Sequence, residues 1–110
     1  MQLENLGHII ATRILVFEEK GGSERTVNVR IGRPQMFSEP HDDYFVPYQI
    51  VGIGSGKVRY GAGVDSVQAL QLMMRMIGAD LEALNREYGG AIKWEAGQNE
   101  HDLGFPRHHE

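Results

Sequence analysis

The stretch GAGVDSVQALQLMMRMIGADLEAL, residues 61–84, decides the fold of this chain. It opens with three small residues and continues as a strongly amphipathic segment. Asp65 is a favoured N-cap residue, and Gln68 three positions later completes an aspartate version of the capping box. Apolar residues then recur at steps of three and four, which predicts one stripe along a helix: Val67, Leu70, Met74, Ile77, Leu81, Leu84 and Tyr88. Gly89 and Gly90 predict the end of this helix.

The glycines of this stretch raise the question of an anion site, because the first amides of a helix can bind phosphate. Asp65 would occupy those amides and repel an anion, so the sequence favours a strand-to-helix corner. GIGSGK, residues 52–57, also resembles a phosphate loop. Val58 follows Lys57, however, and a strand rather than a helix comes next, so the pattern predicts a hairpin turn. We therefore expect no cofactor.

Four segments have the composition or the alternation of β-strands: residues 8–19, 25–32, 44–54 and 57–62. Turn residues at positions 20–23 join the first two segments as a hairpin. Pro47 has no N–H donor, which predicts that the third strand lies at an edge or is bulged. Residues 33–43 are predicted to form a loop. The alternation of Ile92 and Trp94 with charged residues indicates a further short strand.

These elements predict an α+β domain. A mainly antiparallel four-stranded sheet, connected as a meander, has the long helix packed on one face, and a short C-terminal extension follows. The chain has 110 residues, of which 41% are apolar, so we expect a single domain over residues 1–110 with its own core. Residues 8–106 are expected to be ordered and residues 107–110 to be frayed.

Composition excludes several classes of function. The sequence has no cysteine, which excludes disulfides, thiolate metal sites and cysteine nucleophiles and is consistent with a cytoplasmic location. Nowhere do about 18 consecutive apolar residues occur, so no membrane span is expected. The net charge of -4 opposes binding to nucleic acid.

Alternation along the strands predicts which side chains face the helix. The residues expected to face inward are Val27, Val29, Ile31, Val58, Tyr60 and Ala62, with Gly61 facing outward. By the same alternation, Arg30, Lys57 and Arg59 lie together on the outer face, joined by Asn28. Because one helix covers only one face of a sheet, this cationic cluster is either a solvated face paired with nearby acidic residues or a surface that binds an acidic partner or phosphate. For the function we expect a protein partner.

Two loops contain histidine beside acidic residues. His41 and Asp43 lie in one loop, and His101 and Asp102 lie in the other. If the loops meet, these side chains could bind a divalent metal ion. Neither loop has the i, i+4 spacing of a helical zinc motif, so we predict no metal site and retain these four residues as candidates.

Several short motifs resemble a family of small bacterial proteins described as a domain of unknown function. The family has a G-V-D-[AS]-V-Q-A-L helix start, and the motifs here are GVDSVQALQL at 63–72, ATR at 11–13, IGRP at 31–34 and YQI at 48–50. Many members have Trp and Cys where this chain has Tyr44 and Val46, which argues against a cysteine-based activity. The resemblance spans most of residues 8–88 and implies a compact α+β domain of bacterial origin, without a reaction.

The sequence thus favours a non-catalytic binding or regulatory module that contacts a protein through the outer sheet face. The alternative is a small enzyme, or a metal- or ligand-binding protein, that uses the His41 and His101 loops. A monomer or a weak dimer is expected, because Pro47 disrupts an edge through which two copies could pair.

Overall fold

The computed structural model describes residues 3, 5–38 and 43–106. It confirms the α+β class, with one long helix and an antiparallel sheet of six rather than four strands. The elements are β1 (Ile9–Glu18), β2 (Glu24–Gly32), β3 (Gln35–Met36), β4 (Tyr44–Val51), β5 (Arg59–Gly63), α1 (Ser66–Glu87) and β6 (Ile92–Lys93). Among the described residues, no helix is both long enough and apolar enough to cross a membrane.

The four main strands form the predicted meander. β1 and β2 are a hairpin, β2 pairs with β4, and β4 pairs with β5. The glycine-rich stretch GIGSGK lies in the β4–β5 connection, where Gly52, Gly54 and Gly56 all have positive φ angles. These residues form the predicted hairpin connection. Glycine suits this turn because it adopts positive φ angles without steric cost. The small strand β6 extends the sheet beside β1.

Of the two alternatives predicted for Pro47, an edge strand or a bulge, the edge strand is wrong. Tyr48 pairs with Ile31 on one side and with Arg59 on the other, so β4 lies inside the sheet. Pro47 itself pairs with Tyr60 of β5 only. On its other side, Pro47 lies between the residues of β4 that pair with β2 and those that pair with β3. No strand residue pairs with it there, so a residue without an N–H donor is tolerated. β3 lies in the segment predicted to be a loop.

The start of α1 has the predicted cap. The Asp65 carboxylate accepts a hydrogen bond from the Gln68 backbone N–H at 2.8 Å. The Gln68 side-chain oxygen in turn accepts a hydrogen bond from the backbone N–H of Val64 at 2.8 Å. In the usual capping box the donor of this bond is the N-cap residue itself, which here is Asp65. Gly90 donates its N–H to the Asn85 carbonyl beyond the other end of the helix. Local sequence therefore sets both ends of α1.

α1 packs most closely on β5 and β4, and alternate residues of β1 and β2 complete the core beneath it. The buried residues of this core include Leu15, Val27, Val29, Val46 and Tyr48 from the sheet and Ala69, Met73, Ile77 and Leu81 from the helix. The buried face of α1 is rotated relative to the predicted apolar stripe, because Val67, the first member of that stripe, is 61% exposed. The rotation brings Ala69 and Met73 to the centre of the contact.

Two glycines of β5 account for this rotation. A Cβ on Gly61 would lie 2.6 Å from the backbone nitrogen of Met73, and one on Gly63 would lie 2.6 Å from that of Ala69. Both glycines therefore face the helix and let its backbone approach the strand. The predicted orientation of this strand is wrong, because Gly61 faces inward and Tyr60 outward. The corner itself lies after Gly63, at Val64 and Asp65.

Candidate functional site

The structure separates the four residues predicted to form one binding surface. Asn28 and Arg30 lie on the face of the sheet that points away from α1, which we call the open face. Arg59 pairs across from Tyr48 and lies on the helix side, where it contacts Asp80 of α1. Lys57 lines the same groove as Arg59. The separation follows from the reversed orientation of β5.

The centre of the open face is a row of three residues across β1, β2 and β4. Ile14 pairs with Asn28, and Asn28 pairs with Val51. Ile14 is 53% exposed and Val51 is 38% exposed. The Asn28 side-chain oxygen between them is shielded from solvent and has no hydrogen-bond partner among the described residues. A buried carbonyl oxygen without a donor is costly, and the exposed side chains of Ile14 and Val51 on either side of it offer apolar surface for further contacts.

Arg30 extends this row toward the next pair of residues, Thr12 and Gln49, which pair with it in β1 and β4. Within the described part of the chain it has no ion pair. Farther along, the same face is covered by the rings of Phe37, Phe45 and Tyr60, whose centroids lie 4.8–6.0 Å apart. The part of the open face that these rings leave uncovered includes the Ile14–Asn28–Val51 row with Arg30 at its side.

On the helix side, the β4–β5 connection and α1 enclose a groove of about 230 Å³. Lys57, Arg59 and Asp80 line it, and we call it the basic groove. Arg59 Nη1 lies 2.5 Å from Asp80 Oδ1, and the Tyr48 hydroxyl donates to Asp80 Oδ2. Burial of the hydroxyl raises the pKa of Tyr48 well above its usual range, and the hydrogen bond to Asp80 raises it further.

We expect the substitution Tyr48→Phe to reduce the loss of stability at alkaline pH. Above the unfolded-state pKa of about 10, the unfolded chain releases the phenolic proton, whereas the folded chain, with its raised pKa, retains it. The free energy of unfolding of the wild type then falls by up to about 1.4 kcal/mol per pH unit because of this residue. Below that pKa both the folded and the unfolded chain hold the phenolic proton, and the contribution of Tyr48 to the free energy of unfolding is fully present.

Denaturant titrations between about pH 9 and about pH 11 measure this slope in the wild type and in Tyr48→Phe. Tyr88→Phe changes a tyrosine that is 38% exposed and serves as the control. The same slope in the wild type and in Tyr48→Phe would contradict the prediction.

Sequence reasoning did not identify Tyr48 and Asp80 as partners. One signal was present, because Asp80 follows Ile77 by three positions and precedes Leu84 by four, so a carboxylate lies beside the apolar stripe. A charged residue at such a position requires a partner from the facing sheet. The identity of that partner depends on the packing of strand and helix, which periodicity does not determine.

A second cavity, of about 470 Å³, lies between α1 and the C-terminal segment. His101 lines it, together with Leu103 and Phe105. Asp102 stabilises the surrounding turn, because its carboxylate accepts backbone N–H bonds from Gln98 and Gly104, each at 2.9 Å. This volume is within the range of pockets that bind small molecules.

The candidate metal-ligating residues do not form a cluster in the part of the chain that the structure describes. His41 lies outside the described residues, and Asp43, His101 and Asp102 belong to no group of three or more potential ligands in the described ranges. The His101 ring instead lies 3.5 Å from Glu100.

Residues 11–107 match a family model described as Domain of unknown function (DUF6968). The match covers nearly the whole sheet, α1 and the C-terminal segment. No curated protein and no solved structure shows significant similarity to the chain.

Proposed function

We propose that this chain, which belongs to the DUF6968 family, is a non-catalytic binding or regulatory module. It contacts a protein partner through its open face. The observation that carries this proposal is the Ile14–Asn28–Val51 row. Two exposed apolar side chains flank a shielded carbonyl oxygen that has no donor among the described residues. A partner that covers the row removes the apolar surface of Ile14 and Val51 from water. The shielded oxygen of Asn28 becomes reachable for an N–H or O–H donor of the partner only when the Asn28 side chain rotates.

Charge indicates what the partner presents beside this row. Arg30 has no acidic partner among the described residues. A carboxylate of the partner would form a charge-assisted hydrogen bond with the Arg30 guanidinium. The proposed partner surface is therefore apolar at its centre, with a hydrogen-bond donor and an adjacent Asp or Glu. In this proposal the protein acts in a bacterial cytoplasm, which the family resemblance and the cysteine-free sequence support.

The test has two stages. A photo-reactive amino acid replaces Ile14 in cells, and in a matched protein it replaces Arg75, which is exposed on α1. We expect Ile14 to cross-link to one protein and Arg75 not to cross-link to it. The partner is then purified, and its dissociation constant is measured by calorimetry. Arg30→Glu should weaken binding at least about tenfold, because the carboxylate introduced at position 30 repels the carboxylate of the partner.

Lys57→Glu is the matched control, since it makes the same change of charge on the other side of the sheet and should alter affinity less than about twofold. Equal weakening by both variants, or cross-linking from Arg75 alone, would contradict the proposed surface. A cross-linked product of two copies of the chain would assign the open face to a homodimer instead.

The cavity beside His101 favours a second candidate function, a small enzyme or ligand-binding protein that uses the His41 and His101 loops. His101 provides an imidazole next to an apolar floor of Leu103 and Phe105. Stoichiometric binding of Zn²⁺ or Ni²⁺ that is lost in both His41→Ala and His101→Ala would favour this candidate. Unchanged metal binding in the two variants would exclude a site shared by the loops.

A further inference from the structure

The basic groove carries more positive than negative charge. Lys57 and Arg59 line it together with one acidic side chain, Asp80. Asp80 is paired with Arg59, whereas Lys57 has no ion pair among the described residues. The groove therefore has a net charge of about +1 at neutral pH. A ligand with a single negative charge would balance it.

The Arg59 guanidinium is paired with Asp80, and the Arg59 side chain is 52% exposed. Asp80 Oδ1 accepts a hydrogen bond from Arg59 Nη1, and the other carboxylate oxygen accepts from the buried hydroxyl of Tyr48, which is 1% exposed. A guanidinium has five N–H donors, and Asp80 occupies only one edge of the group. Because the ion pair with Asp80 restricts the Arg59 side chain, binding an anion to its remaining donors costs less conformational entropy than it would for an unpaired arginine.

Part of the remaining lining of the groove is apolar, beside Ser55 and the backbone of Gly54 and Gly56. Ile50, Ile53 and Leu84 line it, and Ile50 and Ile53 are buried residues of the core. A phosphate or sulfate ion would gain nothing from these side chains, whereas a short hydrocarbon chain would remove apolar surface from water. The volume of about 230 Å³ corresponds to roughly seven or eight water molecules at about 30 Å³ each. This is the size of a small metabolite.

We propose that the basic groove binds a small aliphatic monocarboxylate. Its carboxylate lies between Lys57 and the free donors of Arg59, and its chain contacts Ile53 and Leu84. This site is on the side of the sheet opposite the open face, so it is independent of the proposed protein partner. Tyr48 and Asp80 act as positioning residues for Arg59.

The probe for this proposal is 4-methylpentanoate, which has eight non-hydrogen atoms. Binding is followed by two-dimensional NMR of the ¹⁵N-labelled full chain at low ionic strength. We expect chemical-shift changes at the backbone amides of Gly54, Lys57 and Leu84, with a dissociation constant of about 1 mM or lower. The neutral 4-methylpentanamide has the same shape and should bind at least about tenfold more weakly, because it lacks the charge.

Lys57→Gln should weaken binding of 4-methylpentanoate at least about fivefold, and its folding is not at risk because Lys57 has no ion pair among the described residues. Arg75→Gln removes an exposed cation of α1 that does not line the groove, and it should leave the affinity unchanged. The proposal is overturned by the absence of shifts in the groove, by equal affinity of the amide, or by an unchanged affinity in Lys57→Gln. Equal affinity for inorganic phosphate would also overturn it, since the apolar lining would then contribute nothing.

Discussion

Gly61→Val should lower the free energy of unfolding by about 3 kcal/mol or more, although valine is normally favoured over glycine in a strand. A Cβ at Gly61 would lie 2.6 Å from the backbone nitrogen and 2.7 Å from the Cα of Met73. These are backbone atoms of a helix and cannot move aside as the tip of a side chain can. The strand and α1 must therefore separate, which exposes part of the core around Met73 and Ala69 to water.

Ala62→Val is the matched control, because Ala62 is the next residue of β5 and points to the opposite side of the sheet. We expect it to change the free energy of unfolding by less than about 1 kcal/mol. Chemical denaturation of the two variants and the wild type measures both values. Equal destabilisation by the two substitutions would show that β5 tolerates no larger residue at all, and would contradict a specific close contact at Gly61.

Arg13→Ala should lower the free energy of unfolding by about 2–3 kcal/mol, because Arg13 joins β1 to the C-terminal segment. Its guanidinium carbon lies 4.0 Å from the ring centroid of Trp94 and 4.7 Å from that of Phe105. Arg13 Nη1 also donates to the carbonyls of Gly104 at 2.8 Å and Leu103 at 3.3 Å. Cation–π contacts and two hydrogen bonds are lost together, and two carbonyls lose a donor.

Trp94 reports this change directly. Its fluorescence should shift to longer wavelength in Arg13→Ala, because the ring becomes accessible to water when the segment detaches. Arg25→Ala is the control, since Arg25 also contacts a ring and a carboxylate, at 5.7 Å from the Phe17 centroid and 3.3 Å from Glu19. Its side chain is 52% exposed, so it should cost less than about 1 kcal/mol. A loss in Arg13→Ala no larger than that in Arg25→Ala would contradict the proposed link.

Together, the two substitutions address the two contacts that position the basic groove and the cavity beside His101. The close approach at Gly61 sets the position of α1 and hence of Asp80, which orients Arg59 in the basic groove. The Arg13 contact holds the C-terminal segment that forms one wall of the cavity beside His101. The open face depends on neither, because its residues belong to the pairing of β1, β2 and β4.

The sequence by itself determined the features that depend on neighbouring residues. The cap at Asp65 needs only Gln68 three positions later, and the two hairpins need only turn residues and alternation. The length of α1 follows from its cap and the two glycines after Tyr88. Asn28 and Arg30 were correctly placed on one face of β2, because successive residues of a strand point to opposite sides.

Only the tertiary structure decided which side of β5 faces the helix, where Pro47 lies in the sheet, and which charged residues meet. Alternation assigned the apolar residues of β5 to the core, yet Gly61 and Gly63 face the helix because only a glycine leaves room for its backbone. Arg59 consequently reaches Asp80, 21 positions later, instead of joining Arg30. Such contacts depend on the distance between packed backbones, and local periodicity contains no measure of that distance.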